Sequence, residues 1–106
     1  MPSQIKNFYT IEEIKKNLSE YFYDKPVRKA YIFGSYARGE ANELSDMDIL
    51  VELDFTEPIG LYFFTMEYEL KKIFNQKIDL ITIEEISPFI KPYIDKDKIL
   101  VYERKE

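Results

Sequence analysis

Gly34-Ser35-Tyr36-Ala37-Arg38-Gly39, followed by Ser45-Asp46-Met47-Asp48-Ile49-Leu50-Val51, is the stretch on which the reading of this chain turns. Ahead of it, Ala30 to Phe33 is a short apolar and aromatic run that reads as a strand ended by Gly34. A glycine there permits a backbone conformation, or a close approach, that a Cβ would block. Ser35 then opens a short helical turn that Gly39 closes. Helix N-termini bind anions through their free N–H groups and the local dipole, and the Ser35 hydroxyl would add one more ligand for a terminal phosphate. Taken alone, Gly-Ser equally describes a plain strand-to-helix turn. Arg38, one helical turn after Ser35, is placed either to reach a phosphate bidentately or to pair with a carboxylate.

Asp46 to Leu53 alternates, with Met47, Ile49 and Val51 on one side and Asp46, Asp48 and Leu50 on the other, which predicts a second strand. On such a strand the Asp46 and Asp48 carboxylates share a face, roughly 6 to 7 Å apart at the backbone. Two like charges beside Ile49, Leu50 and Val51 repel and lose hydration unless a cation compensates them. Mg²⁺ suits such a pair, because it takes hard oxygen ligands and is usually held by one or two carboxylates plus substrate phosphates. A solvent-facing strand end would also carry two such residues without any metal. Asp79 interrupts an otherwise apolar strand, Ile78 to Thr82, on the face opposite Ile78 and Leu80. If the second and third strands are neighbours, Asp79 joins Asp46 and Asp48 and completes a site for two ions about 3.5 to 4 Å apart. Its other reading is an edge-strand charge that blocks aggregation.

Outward from this centre, Thr10 and Glu13 form a capping-box signature, with Tyr9 and Ile14 at the positions of a hydrophobic staple. Ile11, Ile14, Leu18 and Phe22 recur at helical spacing until Asp24-Lys25-Pro26 breaks the pattern. From Pro58 to Phe74, a stripe of Ile59, Tyr62, Phe63, Met66, Leu70 and Ile73 predicts the longest helix. Ser87 is placed to cap a helix opening at Pro88, with Pro92 kinking or dividing it. Ile99 to Tyr102 fits either a helix end or a short strand. The predicted order is αβ(α)βαβα, an α/β domain with a small sheet.

Composition narrows the chemistry. With 106 residues, 45% of them hydrophobic, the chain is expected to fold as one domain spanning 1–106 with no internal linker. Cysteine and histidine are both absent, so any reaction must rest on carboxylates, hydroxyls, Lys and Arg. A net charge of −5 has the wrong sign for gripping a phosphate backbone, and no nucleic-acid partner is expected. No apolar run approaches the roughly 20 residues of a membrane span, and Met1 to Asn7 lacks the apolar stretch of a secretory signal. The expected location is therefore the cytoplasm, away from membranes. Aromatic residues make up 16% of the chain, more than a small core encloses. Some of Tyr9, Tyr21, Tyr23, Tyr36, Tyr93 and Tyr102 are accordingly expected at the surface, where they could bind a partner.

From Gly34 to Val51 the chain resembles, position for position, the signature of the minimal nucleotidyltransferases of the DNA polymerase beta superfamily: Gly-Ser, Ala-Arg-Gly, then Ser-Asp-x-Asp, with a further carboxylate at Asp79. The resemblance implies that fold, a small mixed sheet with helices packed on one face. It implies that Gly34 and Ser35, with Arg38 beside them, hold the triphosphate of ATP. Asp46 and Asp48 would bind Mg²⁺, two ions in all, and Asp79 would contribute to the second ion and activate the attacking hydroxyl. Minimal members resemble the antitoxin half of a two-gene module, in a hetero-oligomer with a helical HEPN-type toxin whose ribonuclease they neutralise. Transfer of AMP onto a toxin tyrosine is the activity this implies. Two other readings stay open: a binding module that neutralises its partner by covering it, and transfer to a small molecule whose pocket a second chain completes.

Overall fold

A computed structural model describes residues 8–105; the Met1 to Asn7 segment, with the expectation attached to it, lies outside the described residues. The first helix, α1 (Ile11–Phe22), starts where the sequence places it. The Thr10 Oγ1 accepts from the Glu13 N–H at 3.1 Å, and Glu13 Oε1 accepts from the Thr10 N–H at 2.9 Å. Two N–H groups that a helix start leaves without partners are satisfied in this way. The helix buries Ile14, Leu18 and Phe22 completely. Each such side chain stabilises the fold by about 1.5–3 kcal/mol relative to exposure.

Strand β1 (Val27–Phe33) begins three residues before the predicted start at Ala30. Its first half hid in the sequence because a bulge between Val27 and Lys29 breaks the alternation and leaves Arg28 and Lys29 both half-buried. The short α2 (Ser35–Arg38) leads through a loop to β2 (Met47–Leu53). The third helix, α3 (Tyr62–Phe74), starts four residues after Pro58. Gly60 adopts a φ of +48°, and the Tyr62 N–H donates to the Ile59 carbonyl at 2.8 Å, so the intervening residues turn before the helix begins. Met66, Leu70 and Phe74 form its buried stripe. Ile73 was expected on that stripe and is instead exposed, since a spacing of four from Met66 reaches Phe74.

Strand β3 (Ile78–Thr82) lies where predicted and pairs with β2 in parallel, α3 forming the crossover between them. After a 3₁₀ turn at Ile83–Glu85, α4 (Lys91–Asp97) starts later than Pro88. Pro92 therefore falls in its first turn, where a missing N–H costs nothing, and no kink results. Ser87 caps the preceding turn: its carbonyl accepts from the Ile90 and Lys91 N–H groups at 3.0 and 2.9 Å, and its Oγ accepts from Phe89 at 3.2 Å. The ambiguous last segment is a strand, β4 (Ile99–Glu103), antiparallel to β1.

The sheet order is β3-β2-β1-β4, a mixed sheet in an α/β fold. Ala30, Ile32, Met47, Ile49, Val51, Ile78, Leu80 and Val101 turn one face of it toward α1 and α3 and form the core. The other face carries Asp48 and Asp79 at one end. Leu50 and Ile94 are also buried but stand apart from that core, and the Lys98 ammonium lies 4.8 Å from the Tyr31 ring centre, which ties the end of α4 to this second face.

Beyond the far end of β2, Asp54 is 4% exposed and holds three segments together. It accepts from Arg104 Nη1 at 2.7 Å, Arg28 Nη2 at 3.3 Å, and the Thr56 N–H and Oγ1 at 3.0 and 2.5 Å. Arg104 also donates to the Lys25 carbonyl at 3.3 Å, so the α1–β1 turn, the β2 exit and the β4 end meet at one carboxylate. Hydrogen bonds from Arg104 and Thr56 hold the Asp54 carboxyl far below the usual carboxylate range. A depressed folded-state value means that the stabilisation is complete above the unfolded value of about 4 and is lost as pH falls below it. Asp54→Asn is accordingly expected to lower the melting temperature at pH 7, and the difference from wild type should narrow as thermal denaturation is repeated from pH 5 down to pH 2.5, part of it persisting there because the folded-state value lies lower still.

Candidate active site

The site begins where β1 runs out. Gly34 has φ +75° and ψ −150°, a conformation that L side chains rarely adopt. A Cβ on it would lie 2.3 Å from Asp48 Oδ2, so the residue is a glycine because the chain passes directly over a carboxylate. The turn that follows is held at both ends. The Arg38 N–H donates to the Gly34 carbonyl at 3.1 Å, and Gly39, at φ +74°, closes α2 while the Glu40 N–H reaches the Ser35 carbonyl at 2.9 Å. Tyr36 is buried beneath, and Gln76 Nε2 donates to its hydroxyl at 3.1 Å, fixing α2 to the turn before β3.

Register brings the carboxylates together. Phe33 pairs with Asp48 across the antiparallel ladder, and Asp48 pairs with Asp79 across the parallel one. Both carboxylates stand on the face opposite Met47, Ile49, Ile78 and Leu80. Burial, followed by the charge and hydrogen bond of Asp79 and the charge of Asp46, raises Asp48 to about 6, and the positive charge of Arg38 opposes the rise. Half-buried Asp48 and exposed Asp79 thus concentrate negative charge that a hard cation would relieve, and their all-oxygen donors suit Mg²⁺. Asp46 falls just ahead of β2, not within it, and its Oδ2 lies 3.7 Å from the Lys77 ammonium. Among the described residues no three acidic side chains gather around one point, so the structure joins Asp48 with Asp79 and leaves Asp46 at the margin. Ser35 opens α2 immediately after Gly34. Arg38 is turned to Glu40 (Nε to Oε1, 2.9 Å) and to Asp97 on α4 (Nη1 to Oδ2, 3.0 Å).

Lys77 and Asp97 escaped the sequence reading. Asp97 sits in the run Asp95-Lys96-Asp97-Lys98, which has the pattern of a solvated helix end. Of the tyrosines expected at the surface, Tyr23 and Tyr93 are exposed, at 78% and 72%. Tyr36 is buried, the Tyr9 hydroxyl donates to the Phe74 carbonyl, the Tyr21 hydroxyl donates to Glu69, and Tyr102 packs on Phe22. Among the described residues no helix is long and apolar enough to cross a membrane.

Residues 11–101 match the family model described as the nucleotidyltransferase domain. A protein of Methanocaldococcus jannaschii that carries the provisional name of protein adenylyltransferase is 41% identical over 105 residues, covering 92% of this chain and 100% of the relative. Solved structures that share the fold include two toxin–antitoxin complexes. One is a toxin–antitoxin crystal structure with AMP-PNP (TM-score 0.67, 18% identity, 87% of this chain and 73% of that one). The other is a tri-AMPylated Shewanella oneidensis HEPN toxin in complex with MNT antitoxin (TM-score 0.65, 14% identity, 89% and 73%). The chain belongs to the nucleotidyltransferase domain family.

Proposed function

We propose that this chain transfers AMP from ATP to a hydroxyl group of a protein partner, a tyrosine of a helical HEPN-type toxin, and so acts as that toxin's antitoxin. The observation that carries the reading is the contact of Gly34 with Asp48, beside Asp79. It sets a turn suited to phosphate oxygens against an acidic pair suited to a divalent ion. The named activity of the M. jannaschii relative and the AMPylated toxin in the Shewanella complex support the choice of donor and acceptor.

In this reading the Ser35 hydroxyl and the N–H groups opening α2 receive the terminal phosphates, because the first N–H groups of a helix have no partner within it. Asp48 and Asp79 would hold Mg²⁺, with Asp46, now beside Lys77, as the further carboxylate. An ion held there would supply polarisation of the phosphoryl oxygens and stabilisation of charge on the departing pyrophosphate. The acceptor oxygen forms a bond to the α-phosphorus as the bond from that phosphorus to the bridging oxygen of pyrophosphate breaks. Asp79, the more exposed of the paired carboxylates, takes the hydroxyl proton. Arg38, held by Glu40 and Asp97, lies one turn beyond Ser35 and would serve the phosphates as a bidentate partner only by giving up those pairs.

Three outcomes test this. Intact-mass spectrometry of the cognate toxin after incubation with wild type, ATP and Mg²⁺ should show a gain of one or more AMP units on tyrosine, with loss of ribonuclease activity. Full neutralisation without any mass gain would instead establish a binding module. Asp48→Asn should reduce transfer at least about a hundredfold. Without Mg²⁺ at pH 7 the same variant should melt no lower than wild type, gaining on the order of 1 kcal/mol after allowance for solvent screening. A raised folded-state value means that the cost of ionised Asp48 is absent below the unfolded value of about 4 and complete above the folded one, so this gain should vanish in acid. Gly34→Ala should abolish transfer and destabilise the fold by about 1–3 kcal/mol through positive-φ strain and the clash with Asp48.

A further inference from the structure

Strand β4 forms one edge of the sheet: β1 takes the hydrogen bonds of one side of it, and among the described residues no strand takes those of the other. The Arg104 N–H donates to the Arg28 carbonyl at 2.8 Å, so by alternation the Glu103 N–H and carbonyl point to the free edge. A groove of about 730 Å³ runs along that edge, with α1 as its far wall. Lys15, Ser19 and Tyr23 line the wall together because a spacing of four puts them on one stripe of the helix. Tyr23 and Leu100 are exposed and give the groove apolar surface. Its cations sit toward the two ends. Both α1 and β4 run toward the α1–β1 turn, where Arg104 meets the Lys25 carbonyl, so Lys15 lies toward the start of β4 and Lys105 just past its finish. Neither Lys15 nor Lys105 enters an ion pair among the described residues, whereas Arg104 is held by Asp54. Glu103, the one carboxylate among the described lining residues, lies 3.8 Å from the Lys29 ammonium.

We propose that this edge is the docking site for an extended acidic segment of a partner protein, which joins the sheet as a strand beside β4, its carboxylates toward Lys15 and Lys105 and its apolar side chains against Tyr23 and Leu100. The free ladder calls for a strand, because only an extended backbone repeats its donors and acceptors at the matching interval. The five residues of β4 span about 17 Å, which sets the length of the segment that can pair. The lysines select for charge: in a chain of net charge −5, two cations without carboxylate partners flank the groove. A second copy of the chain fits less well, since antiparallel pairing of two β4 strands would set Lys105 of each against Lys15 of the other. Lysines and bulges also serve to blunt an edge against pairing. Here the bulge falls between Ala30 and Tyr31, Tyr102 to Arg104 stay in regular register, and exposed Leu100 and Tyr23 supply the apolar surface that a blunted edge lacks. Asp79 lies on β3, at the opposite edge of the sheet, so an occupant beside β4 leaves the acidic pair open. The proposal therefore stands independently of the nucleotidyl-transfer reading.

The experiment is titration of the isotopically labelled full chain with the end-capped synthetic peptide Asp-Val-Thr-Val-Thr-Val-Glu, followed in amide correlation spectra. The expected result is saturable movement of the Glu103, Lys105, Ser19 and Tyr23 amides with Gly34 unmoved, and a dissociation constant of about 10–300 μM. Binding should weaken about tenfold when Lys15→Glu is combined with Lys105→Glu, two exposed positions whose exchange leaves the core untouched. The same peptide with its central amides N-methylated should not bind, because it lacks the donors of a strand. Absence of movement along β4, or equal binding of the N-methylated peptide, would overturn strand docking. Equal affinity of wild type and the charge-reversed chain would overturn the acidic occupant. A chain that sediments as a dimer, with its Glu103 amide protected from hydrogen exchange before any peptide is added, would give the edge to a second copy instead.

Discussion

The closest constraint in this molecule is the passage of the Gly34 backbone over the Asp48 carboxylate, with no room for a side chain between them. It fixes the residue type at position 34, the left-handed backbone there and the point where α2 begins. It also fixes what lies beside Asp48, because the β1–β2 register that pairs Phe33 with Asp48 delivers the turn to that carboxylate and no other. Asp79 arrives by a separate route, through the α3 crossover and the parallel β2–β3 ladder. The site is therefore made of three chain segments whose relative positions are set by sheet hydrogen bonds, which are more rigid than loop contacts.

Strand β2 places a carboxylate near each end, and their environments oppose each other. Asp54 is surrounded by Arg28, Arg104 and Thr56, whose donors favour its ionised form, and it ties the fold together. Asp48 faces Asp79 and Asp46, is half-buried, and is pushed toward its protonated form. The same residue type thus stabilises at one end and strains at the other. The strained end is the one that gains from a cation. The cost is carried by the helix-covered face, where Ile14, Leu18, Phe22, Met66, Leu70 and Phe74 are all fully buried against the sheet.

Helix α4 is the least conventional part of the arrangement. It is short, its Pro92 lies harmlessly in the first turn, and it reaches the site through one ion pair, Asp97 with Arg38. Nothing in the run from Lys91 to Lys98 announces that contact, since alternating Lys and Asp describe any solvated helix end. Its position depends on β4, which brings the chain back beside β1 and carries Arg104 to Asp54.

What the sequence determined by itself was everything encoded over short distances. The capping box of Thr10 and Glu13, the Gly34–Gly39 turn, and the alternation of β2 and of Ile78–Thr82 were all legible, because each depends on neighbours within a few residues. Boundaries blurred where local signals conflicted: the bulge at Arg28 and Lys29 concealed the start of β1, and Gly60 delayed α3 past Pro58. Only the tertiary structure decided that Ile99–Glu103 is a strand, since five residues after a helix gain strand geometry from pairing with β1 and not from their own preference. It alone decided that Asp48 meets Asp79 while Asp46 turns to Lys77, and that Arg38 meets Asp97, because strand register and helix docking are set by contacts between segments far apart in the chain.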